Sequence, residues 1–136
     1  MARTEEKKMK IWTTYFANIK KLDLDKVVPI SICGKAVDGW QFPQYKKLAP
    51  SWSIYKEYKD SGDKERYTRR FIAEILSELD PSQVINDLIR LAGEERKDIA
   101  LVCYEKPGDF CHRHLVADWL GKFGIKVLEY GLEENS

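Results

Sequence analysis

The 136 residues, 43% hydrophobic and 33% charged, suffice for one domain with a real core and are too few for two. A formal net charge of +1 gives no global attraction to nucleic acid or membrane, so any basic surface must be local. Apolar runs such as "IALVC" fall far short of the roughly 20 residues of a bilayer span. The opening "MARTEEKKMK" lacks the apolar stretch of a secretory signal and carries acidic residues foreign to a transit peptide, so a cytosolic location is expected.

Residues 1–8 read as a frayed charged arm, and 131–136 as a short acidic tail. "MKIWTTYF", rich in β-branched and aromatic residues, predicts a first strand. A short helical turn follows around "ANIKKL". "KVVPISICG" is a second strand, with Pro29 best placed near its beginning. Residues 34–50, with two glycines and two prolines, predict a long loop. Ser51 can cap a short helix over "SWSIYKEYKD". A stronger helix is predicted over Lys64–Leu79, where Tyr67, Phe71, Ile75 and Leu79 recur beside Ile72 and Leu76. Asp80 as N-cap, Pro81 at N1 and Gln83 in a capping box start the next helix. It should bury Val84, Ile85, Leu88 and Leu91 and end at Gly93. "DIALVCYE" is apolar enough for a strand covered on both faces. A helix over Cys111–Lys122 turns Leu115, Val116, Trp119, Leu120 and Phe123 inward, and "IKVLEYG" is a last strand.

Strands alternating with helices predict a single-domain, three-layer α/β/α sandwich around a small, mainly parallel, Rossmann-like sheet. Right-handed crossovers should place helices on both faces. In such sheets sites form beyond the carboxyl ends of strands. Cys33 and Cys103 both fall there, and the segment "CYEKPGDFCHRH" (Cys103–His114) holds both histidines and two of the three cysteines.

Several readings of this cluster follow from the residue types. An odd cysteine count without an export signal argues for reduced thiols rather than a disulfide framework. Cys111 or Cys103 could be a nucleophile with His112 or His114 as partner. Glu105 could serve as general base or be a plain loop carboxylate. The helix N-terminus and Arg113 suit a phosphate or carboxylate, while Asp109, as N-cap, would compete for the same N–H groups. Zinc held by Cys33, Cys103, Cys111 and His114 is a weaker alternative, because the spacing C-x7-C-H-x-H matches no standard zinc pattern. The bland reading is two core cysteines and two histidines coating a helix. A cysteine-phosphatase cradle does not fit: Arg113 lies too far beyond Cys103, and Pro107 removes a loop N–H.

Two further features adjoin the cluster. Tyr45–Arg70 interleaves lysines and arginines with Tyr45, Trp52, Tyr55, Tyr58 and Tyr67, a pattern that can hold single strands but is more often a solvated helix face. Trp40, Phe42 and Tyr45 could wall a pocket near the rim or cover the sheet edge.

"LVCYEKPGDFCHRHLVADWL" resembles the signature of domain-of-unknown-function family 488, in which a strand ending in Cys-x-Glu leads through a short loop to Cys-His-Arg at a helix start. "IWTTYF" and "KKLAPSW" are also similar to it, and the resemblance spans about residues 9–130. It carries onto Cys103, Glu105, Cys111, His112 and Arg113, but not His114. It implies a compact α/β fold found in bacteria and phages, with an activity that is unassigned. Many members have Asp-x-Arg after the second strand; here "ISICGKAVDG" puts Cys33, Gly34 and Lys35 there.

The expected function is a cytosolic enzyme acting on a phosphate-bearing substrate, a nucleotide or nucleic acid. Cys111 or Cys103 carries the chemistry, with His112 and Glu105 assisting. Arg113, Lys35 and Trp40 meet the substrate. The competing expectation is a non-catalytic binding module on the same rim. No cofactor beyond the zinc alternative and no membrane partner are expected, and the sequence sets no oligomeric state.

Overall fold

The computed structural model describes residues 9–95, 97–105 and 110–131. Four parallel strands, β1 (Ile11–Tyr15), β2 (Val27–Ser31), β3 (Asp98–Cys103) and β4 (Val127–Glu129), form one sheet in the order β2-β3-β1-β4. Four α-helices accompany them: α1 (Trp52–Ser61), α2 (Lys64–Glu74), α3 (Pro81–Ala92) and α4 (His112–Gly121). The chain is a single-domain α/β fold, as its alternating periods predict.

β3 lies between two strands and is buried along its whole length, which is why its sequence is an unbroken apolar run. β2 is an edge strand. Pro29 sits at its middle rather than its beginning, and an edge tolerates the missing N–H there.

The strand order also fixes which face each connection covers. From β1 to β2 the chain crosses the sheet one way; from β2 to β3 and from β3 to β4 it crosses the other way. A constant crossover hand then demands opposite faces for these links. On one face, Phe71, Val84, Leu88, Val116 and Leu120 from the helices pack on Ile11, Ile30, Ile99 and Leu101. On the other, a 3-10 segment (Phe16–Lys21) with Ile19, followed by Leu22, packs on Trp12, Val27 and Ala100. The expected second helical layer reduces to that segment, since only the short β1–β2 link runs there.

Local signals set the helix ends. Ser51, Asp63 and Asp80 each accept a backbone N–H at the start of α1, α2 and α3, and Pro81 opens α3. Two expectations are corrected. α2 stops at Glu74 and a 3-10 turn (Leu76–Glu78) replaces its predicted last turn, because Asp80, ahead of Pro81, must be extended. Asp80 accepts from Ser82, while Gln83 donates to Asp87, so no capping box forms. Ile72, Leu91 and Phe123 are exposed, since each helix packs on only one side and buries a narrow stripe.

The long loop after β2 is tied down. Ser31 exchanges backbone hydrogen bonds with Pro43 and Tyr45, and the buried Tyr45 hydroxyl donates to Asp87 Oδ2 at 2.5 Å. Tyr45 therefore belongs to the core and not to a pocket wall.

Candidate functional site

β1 and β3 are neighbours whose onward chains leave to opposite faces, which makes the crevice between their carboxyl ends the topological switch point of the sheet. Tyr15 and Cys103 are paired in register at that point. Cys33 follows the end of β2, and Cys111 is the N-cap of α4 with extended backbone. The three cysteines, all buried, pack together against Phe16. The topology thus brings Cys33 and Cys103 to one rim, as expected.

The Sγ atoms of Cys103 and Cys111 are brought together at the rim, and Cys33 stands apart from that pair. The strand end and the helix cap flank the same loop, so their side chains meet. Burial, reinforced by the Glu105 carboxylate, pushes the Cys33 thiol up to about 12, and it stays protonated.

His112 begins α4 and is buried. Its Nε2 lies 2.7 Å from the Ile32 carbonyl, an acceptor only, so Nε2 carries the proton and Nδ1 a lone pair. That Nδ1 sits 4.0 Å from Cys111 Sγ. Desolvation lowers the imidazole to about 4, and it is neutral near pH 7.

Arg113 is fully buried. Its Nε and one terminal nitrogen donate to the two carboxylate oxygens of Glu129 at 3.1 and 3.0 Å. The other terminal nitrogen donates to Cys103 Sγ at 3.1 Å and to the Glu105 carbonyl. Tyr15 faces the guanidinium with its ring centroid 5.8 Å away, and the Thr13 hydroxyl donates to Glu129 at 2.6 Å. Its charge is thus neutralised from within, and it braces the rim from beneath instead of facing an anion in solvent. Glu129 is the site residue that sequence reasoning passed over. The available signal was an acid in the last strand on the same face as Val127, where alternation demands an inward side chain.

The remaining expected residues lie around this core. Glu105 is exposed and touches the site through its backbone carbonyl. Lys35 is exposed, and its carbonyl accepts the Tyr104 hydroxyl at 2.8 Å. Trp40 is half-buried against Phe16, which in turn contacts Tyr104. Phe42 stacks edge-on against Trp40, so this part of the loop does border the cysteines. Asp109 lies outside the described residues; Cys111 holds the N-cap position expected for it, and its own side chain makes no cap hydrogen bond.

Among the described residues, the ligand atoms of Cys103, Cys111 and His112 lie within 4.8 Å of one another. His112, not His114, is the histidine that joins the sulfurs. The buried stripe of α4 runs through His112, Arg113, Val116 and Leu120, and His114 falls beside it. A surface cleft of about 430 Å³ between Pro81 and Ile125 includes none of the cysteines. No helix among the described residues is long and apolar enough to cross a membrane.

A family model described as "Active DUF488-N3 subclade" matches residues 4–124. Neither the curated proteins nor the solved structures supply a match.

Proposed function

The chain belongs to the DUF488 family, and from that premise we propose that it is a thiol-dependent enzyme acting on a phosphate-bearing substrate, a nucleotide or nucleic acid, at the switch-point rim. The word "active" in the family description agrees with a catalytic role. The observation that carries the reading is the convergence on one cysteine pair. Arg113 donates to Cys103 Sγ, and the His112 lone pair faces Cys111 Sγ.

In this reading Cys103 and Cys111 act as thiols. Cys111 then stands at a helix start whose N–H groups favour negative charge on sulfur. Its neighbour His112 accepts the S–H and orients it. Arg113 stabilises charge on Cys103 while its own charge is held by Glu129. Because Arg113 is occupied, a substrate phosphate would meet the α4 N–H groups and Lys35.

The test is alkylation of the reduced, folded protein with iodoacetamide at pH 7, read by peptide mass. Cys111 should label faster than the same residue in the unfolded chain, and Cys33 hardly at all. Labelling of Cys111 no faster than in the unfolded chain would remove the nucleophile. Turnover of nucleotides or oligonucleotides, where found, should disappear in Cys111→Ser.

A second reading is favoured by the cluster of Cys103, Cys111 and His112: in the reduced protein these residues hold zinc. A backbone carbonyl that fixes the far imidazole nitrogen is a usual companion of a metal-bound histidine. Zinc content measured after reduction and dialysis separates the readings. Stoichiometric metal lost in His112→Ala supports the zinc site, and substoichiometric metal rejects it.

A further inference from the structure

Three segments distant in sequence meet at the rim, and each brings a soft ligand. Cys33 follows β2, Cys103 ends β3, and Cys111 with His112 opens α4. These four residues are buried, at 6%, 0%, 4% and 6% exposure, and the three cysteines pack together against Phe16. Glu105, the nearest acid in the chain, is exposed and meets the group through its backbone carbonyl. Sulfur and imidazole are thus the donors that the interior offers, a set that suits zinc.

Ligand atoms on a tetrahedral zinc lie roughly 3.3–3.8 Å from one another. Those of Cys103, Cys111 and His112 fall within 4.8 Å of one another. The Cα atoms of Cys103 and Cys111 stand 7.5 Å apart, wider than the roughly 4.4–6.8 Å of a direct cysteine pairing, so an ion between the sulfurs suits the backbone. The chain around Cys33 is already fixed to this group. The Ile32 carbonyl accepts from His112 Nε2 at 2.7 Å, and the Cys33 N–H donates to Ser31 Oγ at 3.3 Å. Its thiol is held more loosely, 3.8 Å from the carbonyl of Val102, the residue before Cys103. A turn about the one Cα–Cβ bond of Cys33 exchanges that weak contact for a metal.

We propose that Cys33 is the fourth ligand of a closed zinc site at the rim, beside Cys103, Cys111 and Nδ1 of His112. This rests on the zinc reading of the rim and deepens it. Three protein ligands would leave a position open for water or substrate, whereas four buried ones make a structural site. Each thiol releases its proton to solvent as its sulfur binds. Three thiolates on a divalent ion carry one surplus negative charge. The Arg113 N–H that meets Cys103 Sγ at 3.1 Å and the N–H groups at the start of α4 offset it. The ion then clamps the ends of β2 and β3 to the first turn of α4.

The test loads the reduced full chain, stripped of metal by a chelator, with cobalt(II) as an optical stand-in for zinc. Charge-transfer absorbance between thiolate and cobalt scales with the number of sulfur ligands. Cys33→Ser should therefore lower it by about one-third, from three thiolates to two, with the circular dichroism of the metal-free protein unchanged. X-ray absorption at the zinc edge of the loaded parent, which needs no variant, should count three sulfurs and one nitrogen, and it decides the matter alone should Cys33→Ser fail to fold. One bound ion with an undiminished band in Cys33→Ser, or two sulfurs at the zinc edge, overturns the fourth ligand and leaves an open three-ligand site. A parent that retains neither cobalt nor zinc overturns the zinc reading itself, and the fourth ligand with it.

Discussion

Arg70 on α2 and Arg113 on α4 make similar hydrogen bonds to glutamates and stand in opposite surroundings. Arg70 bonds Glu74 at 2.7 Å and Glu57 at 2.9 Å, with all three side chains between 22% and 47% exposed. The Arg70 guanidinium holds Glu74 and Glu57 below the usual carboxylate range. Arg113 bonds Glu129 with 0% and 10% of the two side chains exposed. In the first cluster water can take over any bond that is broken. In the second it cannot, and loss of one partner leaves a charge stranded among Tyr15, Thr13 and the cysteines. Bond lengths alone do not rank ion pairs; the surrounding dielectric does.

The largest expected effect tests that claim at its strong end. Glu129→Ala should destabilise the protein by about 3–5 kcal/mol, because it leaves a buried guanidinium without its counter-ion. Urea unfolding measures this. The double replacement Arg113→Met with Glu129→Leu should recover much of the loss, since the pair itself offsets a large desolvation cost. A Glu129→Ala protein as stable as the parent would mean that the rim is wetter than its burial implies, and the contrast with Arg70 would collapse.

A second effect, of about 3 kcal/mol, concerns a charge that the same interior refuses. His112 has its folded value lowered from 6.5 to about 4 by burial. Between those values the unfolded chain binds a proton that the folded one does not, so stability falls as the pH drops through this window. Above 6.5 the contribution is complete, and below 4 the slope ends. The slope of unfolding free energy with pH, compared between the parent and His112→Gln, checks the sign. His114, also lowered by burial, adds to the parental slope and persists in the variant. A parent whose stability rises on acidification would show that His112 is charged in the fold.

These two residues also mark where the sequence was readable. β3, Cys33 and Cys103 could be placed because an apolar run and a carboxyl-end rule need only local pattern plus topology. In α4 the expected Val116 and Leu120 are buried and Leu115 and Trp119 pack on the core, Phe123 is exposed, and the helix also turns His112 and Arg113 inward, which the apolar pattern does not announce. Their partners, the Ile32 carbonyl and Glu129, lie on β2's extension and on β4. A buried polar side chain is legible only with its partner, and no periodicity in α4 points to a carboxylate on the last strand. The approach of Cys103 to Cys111 follows from their places at the strand end and the helix cap that flank one loop.

The smallest effect lies at the exposed end. Arg70→Ala removes bonds to Glu57, Glu74 and Ser53, more partners than many buried residues have. Even so, the melting temperature should stay close to the parent's, because Glu57 keeps Arg66 and water solvates what remains. Whatever difference appears at low salt should fade as ionic strength rises, since at 1 M salt charges are screened within about 3 Å. The deficit of Glu129→Ala should persist under the same salt, because counter-ions do not enter a fully buried site. If added salt erased both deficits equally, exposure would not be what separates the two arginines, and Arg113 would have to be treated as one more surface cation.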